Sequence, residues 1–277
     1  MTTQNPQQNQ SPIMTTTSRV FNIGSNSAIQ KNNNSMNSDI ICKLPNLSFH
    51  DEKIHEIFLS FVHCEIPNSF YLVNSTNNTL TINATTYTIP PGNYNAVNFL
   101  NTILSGILST LAITGTYSTI TNKYTFTSLS AFTIQATSTC YKFLGLTVGT
   151  SYTGTSVVSI YPTNFLPISR LIVKSTAFNT NNYNSADKSS DMILSVQNSS
   201  ATGALILWNN YSLTKYDISS LDSLNIVDLQ ITDDLGNQID FQGADWYLTF
   251  KIEYTYESKM NQLTFDKITK KNIINAP

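Results

Sequence analysis

From Trp246 to Tyr256 the chain alternates without a break. Trp246, Leu248, Phe250, Ile252, Tyr254 and Tyr256 fall on one side, while Tyr247, Thr249, Lys251, Glu253 and Thr255 fall on the other. A period of two predicts a strand with one buried and one wet face. Shorter apolar runs predict strands at 157–161, 170–174, 192–196, 204–208 and 224–231. Residues 54–73 read as strand, loop at Pro67-Asn68-Ser69, and strand, with Ile57-Phe58-Leu59 and Phe61-Val62 apolar on both faces. That is the pattern of a strand lying between two layers. Residues 80–89 read as a hairpin turning at Asn83-Ala84-Thr85. A second hairpin, 117–120 with 124–127, closes at Thr121-Asn122-Lys123, followed by a short strand at 133–136 and a turn over 141–149.

One segment has the other period. Ala96, Val97, Phe99, Leu100, Ile103, Leu104, Ile107, Leu108 and Leu111 recur at helical spacing and give one wide apolar stripe. Asn93 or Asn95 can cap the orphan N–H groups at its start, and Gly106 weakens it by about 1 kcal/mol relative to Ala. The stripe lacks the Lys/Arg face of an interfacial helix, so it predicts a helix packed on a sheet. Strands dominate elsewhere and no βαβ rhythm appears. The fold class predicted is mainly β, an antiparallel jelly-roll sandwich with an inserted β-hairpin–helix–β-hairpin unit. The expected division is a flexible N-terminal arm at 1–38, a jelly-roll domain at 39–77 and 151–258, the insertion at 78–150, and a C-terminal tail at 259–277. The arm is expected to be too sparse in apolar residues to offset its own ordering entropy. Its segment Arg19-Val20-Phe21-Asn22-Ile23 is the piece expected to dock on a neighbouring subunit.

Composition strengthens the β reading. Of 277 residues, 40% are hydrophobic but only 12% charged, about half the usual charged share of roughly 25%. Ser, Thr, Asn and Gln fill the gap, which favours pleated surfaces and turns. The net charge of −2 lacks the basic excess with which a domain grips phosphate, so nucleic acid is not expected as a partner. There is no apolar run long enough to span a bilayer and no secretory layout at the start, which predicts synthesis in a cytoplasm. The three cysteines, Cys42, Cys64 and Cys140, are no disulfide framework and fit a reducing compartment.

Chemistry is sought in two clusters. His50, His55 and His63 stand with Glu52, Glu56, Cys64 and Glu65, but His55 and His63 on one strand lie roughly 26 Å apart at ~3.3 Å per residue. Metal ligands must converge, so no metal site is expected. His63-Cys64-Glu65 matches only the first half of a zinc-deaminase signature. Asp228, Asp233, Asp234, Asp240 and Asp245 lack EF-hand spacing and read as turn formers, with calcium or a carboxylate pair as the sharper alternative. The chain carries no nucleophile elbow, P-loop or dinucleotide fingerprint, and no His after residue 63. No enzyme activity, catalytic residue, cofactor or small-molecule substrate is expected.

An ordered set of short motifs carries a resemblance. It comprises Cys64-Glu65-Ile66-Pro67-Asn68-Ser69-Phe70-Tyr71, then Tyr87-Thr88-Ile89-Pro90-Pro91-Gly92-Asn93-Tyr94, then Phe143-Leu144-Gly145-Leu146. Leu229-Gln230-Ile231-Thr232-Asp233-Asp234-Leu235-Gly236-Asn237 and Asp240-Phe241-Gln242-Gly243-Ala244-Asp245-Trp246 complete it. Over residues 54–256 the chain resembles the penton or minor capsid proteins of virophages, Polinton-like viruses and related large DNA viruses. The resemblance implies a single jelly roll, a structural role at the five-fold vertices of an icosahedral capsid, and residence in the virion after synthesis in host cytoplasm. It also implies a homopentamer whose partners are the major capsid protein and other minor capsid proteins. The alternative reading is a glycan- or receptor-binding β-sandwich, a minor virion or spike protein. In it Trp208, Trp246 and Tyr side chains stack on sugar rings while Asp233 and Asp234 help hold calcium.

Overall fold

In the computed structural model of the chain, residues 13–32, 36–49, 54–178, 191–221 and 223–258 are described. The first strands are β1 (Ile13–Gly24), β2 (Gln30–Lys31), β3 (Asp39–Ser48) and β4 (Ile54–Pro67). Next come β5 (Thr79–Ile82), β6 (Thr85–Thr88), β7 (Ile113–Ser118), β8 (Lys123–Ile134) and β9 (Tyr152–Val158). The last group is β10 (Arg170–Lys174), β11 (Met192–Gln197), β12 (Leu205–Asn209), β13 (Tyr216–Asp217), β14 (Ser223–Asp233) and β15 (Tyr247–Ser258). The first and last groups belong to unit 1, the described residues of Met1–Pro67, Arg170–Gln197 and Leu205–Pro277. The middle group belongs to unit 2, Asn68–Ser169 with Asn198–Ala204.

Unit 1 holds two five-stranded antiparallel sheets. Sheet A runs β1-β15-β4-β12, with β13 also on β4, and sheet B runs β11-β10-β14-β3-β2. This is the mainly β, antiparallel jelly-roll sandwich that the sequence predicts. The alternating side of β15 is the buried one, with Leu248, Phe250 and Ile252 in the core behind Trp246. On β4, Ile57, Leu59 and Phe61 are buried, then Cys64 and Ile66. The one-residue slip in that alternation lies at a bulge opposite Thr249 and Phe250. Sheet B contributes Ile40, Cys42 and Leu44 from β3, and Val227, Leu229 and Ile231 from β14. Phe178, just past β10, meets Phe61 at 5.7 Å and Phe250 at 5.4 Å, edge to face in both cases, and so ties the two sheets together. Each such burial is worth about 1.5–3 kcal/mol.

The region expected as an arm differs from that expectation where it is described. Residues 13–24 form β1, paired with β15 along its whole length, and 30–31 pair with β3. The physical reason is that an edge strand needs a ladder and no apolar face of its own: none of residues 14–22 is buried. Arg19 to Ile23 dock on β15 of the same chain. The remainder of the expected arm, 1–12 and 33–35, and the expected tail at 259–277 lie outside the described residues. The second strand expected before Val73 is also absent: β4 ends at Pro67, and Val73 makes only an isolated bridge to Gly92.

Unit 2 is a single sheet, β6-β5-β8-β7 with β9 on β8. Its helix runs through α1 (Ala96–Asn98), a π-helical stretch Phe99–Leu104 and α2 (Ser105–Ser109). Asn95 is the N-cap, its Oδ1 accepting from Asn98 N at 2.8 Å. The predicted stripe buries Phe99, Leu100, Leu104 and Leu108 in one core with Leu80, Ile82, Phe126 and Ile134. The unit is wider than the expected 78–150. Asn93 draws in the preceding segment, accepting from Leu72 N at 2.8 Å, and the Nδ2 of Asn68 reaches Ser200 O at 2.8 Å. Residues 123–136, read as a hairpin arm and a separate strand, are largely one strand, β8, whose pairing with β9 is interrupted between Thr127 and Phe132.

Candidate functional site

Among the described residues the histidine cluster does not converge. His50 lies outside the described residues, and His55 and His63 stand on the continuous strand β4, as the spacing predicts. His63 is spoken for. Its Nδ1 is 2.8 Å from Asn209 Oδ1 on β12, and its Nε2 is 2.9 Å from Glu65 Oε1. The bond to the Glu65 carboxylate raises the imidazole pKa, with Asn209 and the nearby charge adding to it and desolvation opposing. Cys64 is adjacent in sequence but points into the core, because neighbouring residues of a strand face opposite ways. Burial first, and the Glu65 charge second, push its thiol up to about 12, so no thiolate is available there. Among the described residues no group of three or more His, Cys, Asp or Glu side chains is placed to hold a metal ion.

Four of the five aspartates are bonded to their own turn or to another segment, and Asp234 is exposed. Asp233 accepts from Leu235 N at 2.9 Å, Asn237 N at 2.8 Å and Asn237 Nδ2 at 2.9 Å, which closes the turn after β14. Asp240 accepts from Gln242 N at 2.9 Å. Asp245 accepts from Ser25 Oγ at 2.6 Å, across sheet A's end. Asp228 gathers Ser175 Oγ at 3.0 Å, Thr176 Oγ1 at 2.8 Å and Ala177 N at 2.9 Å. Burial pushes the Asp228 carboxyl up, and the bonds from Thr176, Ala177 and Ser175 outweigh it, holding the carboxyl below the usual range.

The motif Asp240 to Trp246 is a plug. Gln242 and Gly243 turn the chain with φ of 54° and 79°, so that Phe241 and Trp246 both enter the core. Trp246 is fully buried and its Nε1 donates to Asn37 O at 2.6 Å. It therefore has no face to offer a sugar ring, which removes one of the two Trp anchors of the glycan-binding alternative, while Trp208 on β12 is half-buried. Of the two aspartates that alternative assigns to calcium, Asp233 is bonded within its turn and Asp234 is exposed.

What the outer face of sheet A does offer is apolar surface. Leu205 and Leu207 on β12, Val62 on β4 and Tyr247 on β15 are all exposed. Register places Leu207 beside Glu65 and Glu65 beside Tyr247, so Leu207 and Tyr247 flank that residue on the sheet. Farther along, Glu253 sits between Lys215, 2.6 Å from Oε2, and Lys251, 3.0 Å from Oε1. The signal for this surface was legible as a strand, 204–208, apolar on both faces, but its outward half was not singled out.

The fold defines the class: an antiparallel jelly-roll β-sandwich that carries a second, helix-covered β unit within its chain. No protein-family model matches the sequence, and no curated protein matches it. Among solved structures the chain is similar to the crystal structure of selenomethionine-labelled mavirus penton protein. The identity is 10%, covering 88% of this chain and 100% of that chain, with a TM-score of 0.38. At that distance no residue role passes from that protein to this chain.

Proposed function

We propose that this chain is a structural capsid protein, a penton subunit that closes the five-fold vertices of an icosahedral capsid as a homopentamer. The observation that carries this reading is where the ordered motifs fall. Cys64 to Tyr71 spans the passage from β4 into unit 2, and Tyr87 to Tyr94 the passage from β6 towards the helix. Phe143 to Leu146 contains the turn at Gly145, and the last two motifs hold β14, its turn and the plug before β15. Every motif fixes a change of direction in the chain, so the resemblance is one of architecture, as suits a protein selected for shape.

Two further features support the reading. The low charge content lowers the desolvation cost of packing flanks together, and exposed Leu, Val and Tyr on sheet A are suited to a subunit contact. A sandwich using different flanks towards its two neighbours makes heterologous contacts that close into a ring. In this proposal unit 1 is the jelly-roll body and unit 2 its insertion. The major capsid protein and other minor capsid proteins are the remaining partners, and the virion is the site of action. Mass photometry and negative-stain microscopy of the purified chain test it, with particles of five copies expected. A strictly monomeric protein that binds a glycan array would sink it.

A further inference from the structure

β1 is held by very little besides its ladder. It pairs with β15 and with no other strand of sheet A. The register runs from Ile13 opposite Ser258 to Gly24 opposite Tyr247 without irregularity. The ladder between β15 and β4, by contrast, slips twice. Side-chain attachments are few. Phe21 stacks on Phe250 at 5.1 Å, Thr249 Oγ1 donates to Asn22 Oδ1 at 2.8 Å, and the Thr16 and Thr255 hydroxyls lie 3.3 Å apart. Ile23 is the single apolar side chain of residues 14–24 that is buried. Immediately beyond, the chain is pinned: Ser25 Oγ donates to Asp245, and Ser25 N donates to Trp246 O at 3.0 Å. The strand therefore hangs from a fixed point through Gly24.

The edge it exposes is also undefended. Strands that end a sheet are ordinarily blunted by charge, proline or a bulge. β1 has Arg19 as its one charge, no proline and no bulge, and it is rich in β-branched residues. Everything β1 contributes to its own chain, an identical copy can contribute equally well, because the complementary surface is β15 and every copy has one.

We propose that β1 is an exchangeable strand: in the assembled protein, β1 of one copy pairs with β15 of the next, with the chain re-aimed at Gly24-Ser25-Asn26-Ser27, which releases the Ser25 bonds to Asp245 and Trp246 of its own chain. The occupant of the β15 edge is thus a second copy's β1 in the register seen here. Such an exchange keeps the ladder and changes which chain supplies it, the low-cost route by which identical elements join protomers. Around a ring it is heterologous, each copy giving one strand and receiving one. This rests on the ring assembly proposed above.

The test mixes two full-length variants, Asn22→Cys and Thr249→Cys, co-expressed and purified together, then oxidised. The two positions face each other across the ladder, at the separation a disulfide spans. The native cysteines Cys42, Cys64 and Cys140 are buried. In an unexchanged fold the two engineered thiols sit on different chains and cannot meet. With exchange, about a quarter of the interfaces in a one-to-one mixture bring them together. A two-chain band on a non-reducing gel, absent when either variant is oxidised alone, is the expected result. Its absence in the oligomeric fraction overturns the exchange. Thr16→Cys with Thr255→Cys provides an independent pair should the first disturb folding. Size-exclusion analysis before oxidation separates the two readings. Rings without the cross-link reject the exchange alone, whereas monomers reject the ring, and with it the neighbour that exchange requires.

Discussion

Units 1 and 2 both bury an aromatic-rich core under antiparallel strands, yet they differ in how far along the chain their longest polar ties reach. In unit 2 asparagine makes many of the ties within turns. Asn95 caps the helix three residues on, Asn77 and Asn74 close a turn on each other, and Asn78 Nδ2 reaches Ile89 O at 2.9 Å. Asn83 and Asn122 take left-handed turn positions with φ of 54° and 55°, a region asparagine tolerates better than most residues. Unit 1 has local ties too, at Asp233 and Asp240, but it adds side-chain ties between the two ends of the chain. Trp246 reaches back to Asn37, Asp245 to Ser25, and Asp228 to the segment after β10. The lesson is that asparagine caps let the turns of unit 2 specify themselves locally, whereas unit 1 also depends on single contacts that join residues some 200 positions apart, 209 for Trp246 with Asn37 and 220 for Asp245 with Ser25.

The strongest way to break this contrast is to remove a long-range tie. Trp246→Ala should cost unit 1 about 3–5 kcal/mol, from the lost burial and the cavity, with the Asn37 carbonyl left without its donor. Denaturant unfolding followed by Trp fluorescence and circular dichroism reads the loss. Asp228→Asn should cost about 1–2 kcal/mol, kept low because the group is partly exposed, since an amide offers one acceptor oxygen to the donors the carboxylate now serves. Its pH dependence has a defined sign. The Asp228 carboxyl is held low in the fold, so its contribution is present above the usual carboxylate pKa and is lost as pH falls through the lowered one. The gap between wild type and Asp228→Asn in thermal melts should therefore narrow in acid; a gap that widens would contradict it.

In unit 2, Asn95→Ala should cost about 1 kcal/mol, the ordinary value of a helix cap. A loss as large as that from Trp246→Ala would erase the contrast between local and long-range ties. The smallest effect is expected at His63. Its pKa is raised in the fold, so its contribution is complete below the unfolded value and fades as pH rises through the folded one. An NMR titration of the imidazole should show this rise, and Glu65→Gln should reduce it. An unchanged titration in that variant would show that Glu65 is not its main cause.

The same contrast explains what could be read from the chain. Elements that sort their own side chains were legible: the stripe from Phe99 to Leu108, the alternation from Leu248 to Ile252, the hairpin at Asn83. β1 was not, because its residues satisfy no local burial pattern and its partner lies at the far end of the sequence. β3 was missed for a related reason, as Ile40, Cys42 and Leu44 alternate only briefly before Pro45 interrupts the pattern. The separation of His55 from His63 was legible because strand spacing alone sets it. The outward apolar half of β12 was overlooked, because a strand apolar on both faces reads as wholly buried unless its place at the sheet edge is known.

The position of β15 between β1 and β4 has a consequence for the chain during synthesis. Gly24 leaves the ribosome 223 residues before Tyr247, its partner in the register. At ~5–20 residues per second that is a delay on the order of ten to forty-five seconds. Throughout it β1 has no partner in its own polypeptide, whereas in a closed copy the β15 edge is already covered by that copy's own β1. In the exchange proposed above, a nascent β1 can therefore pair with the vacated β15 of another copy before its own chain is able to close.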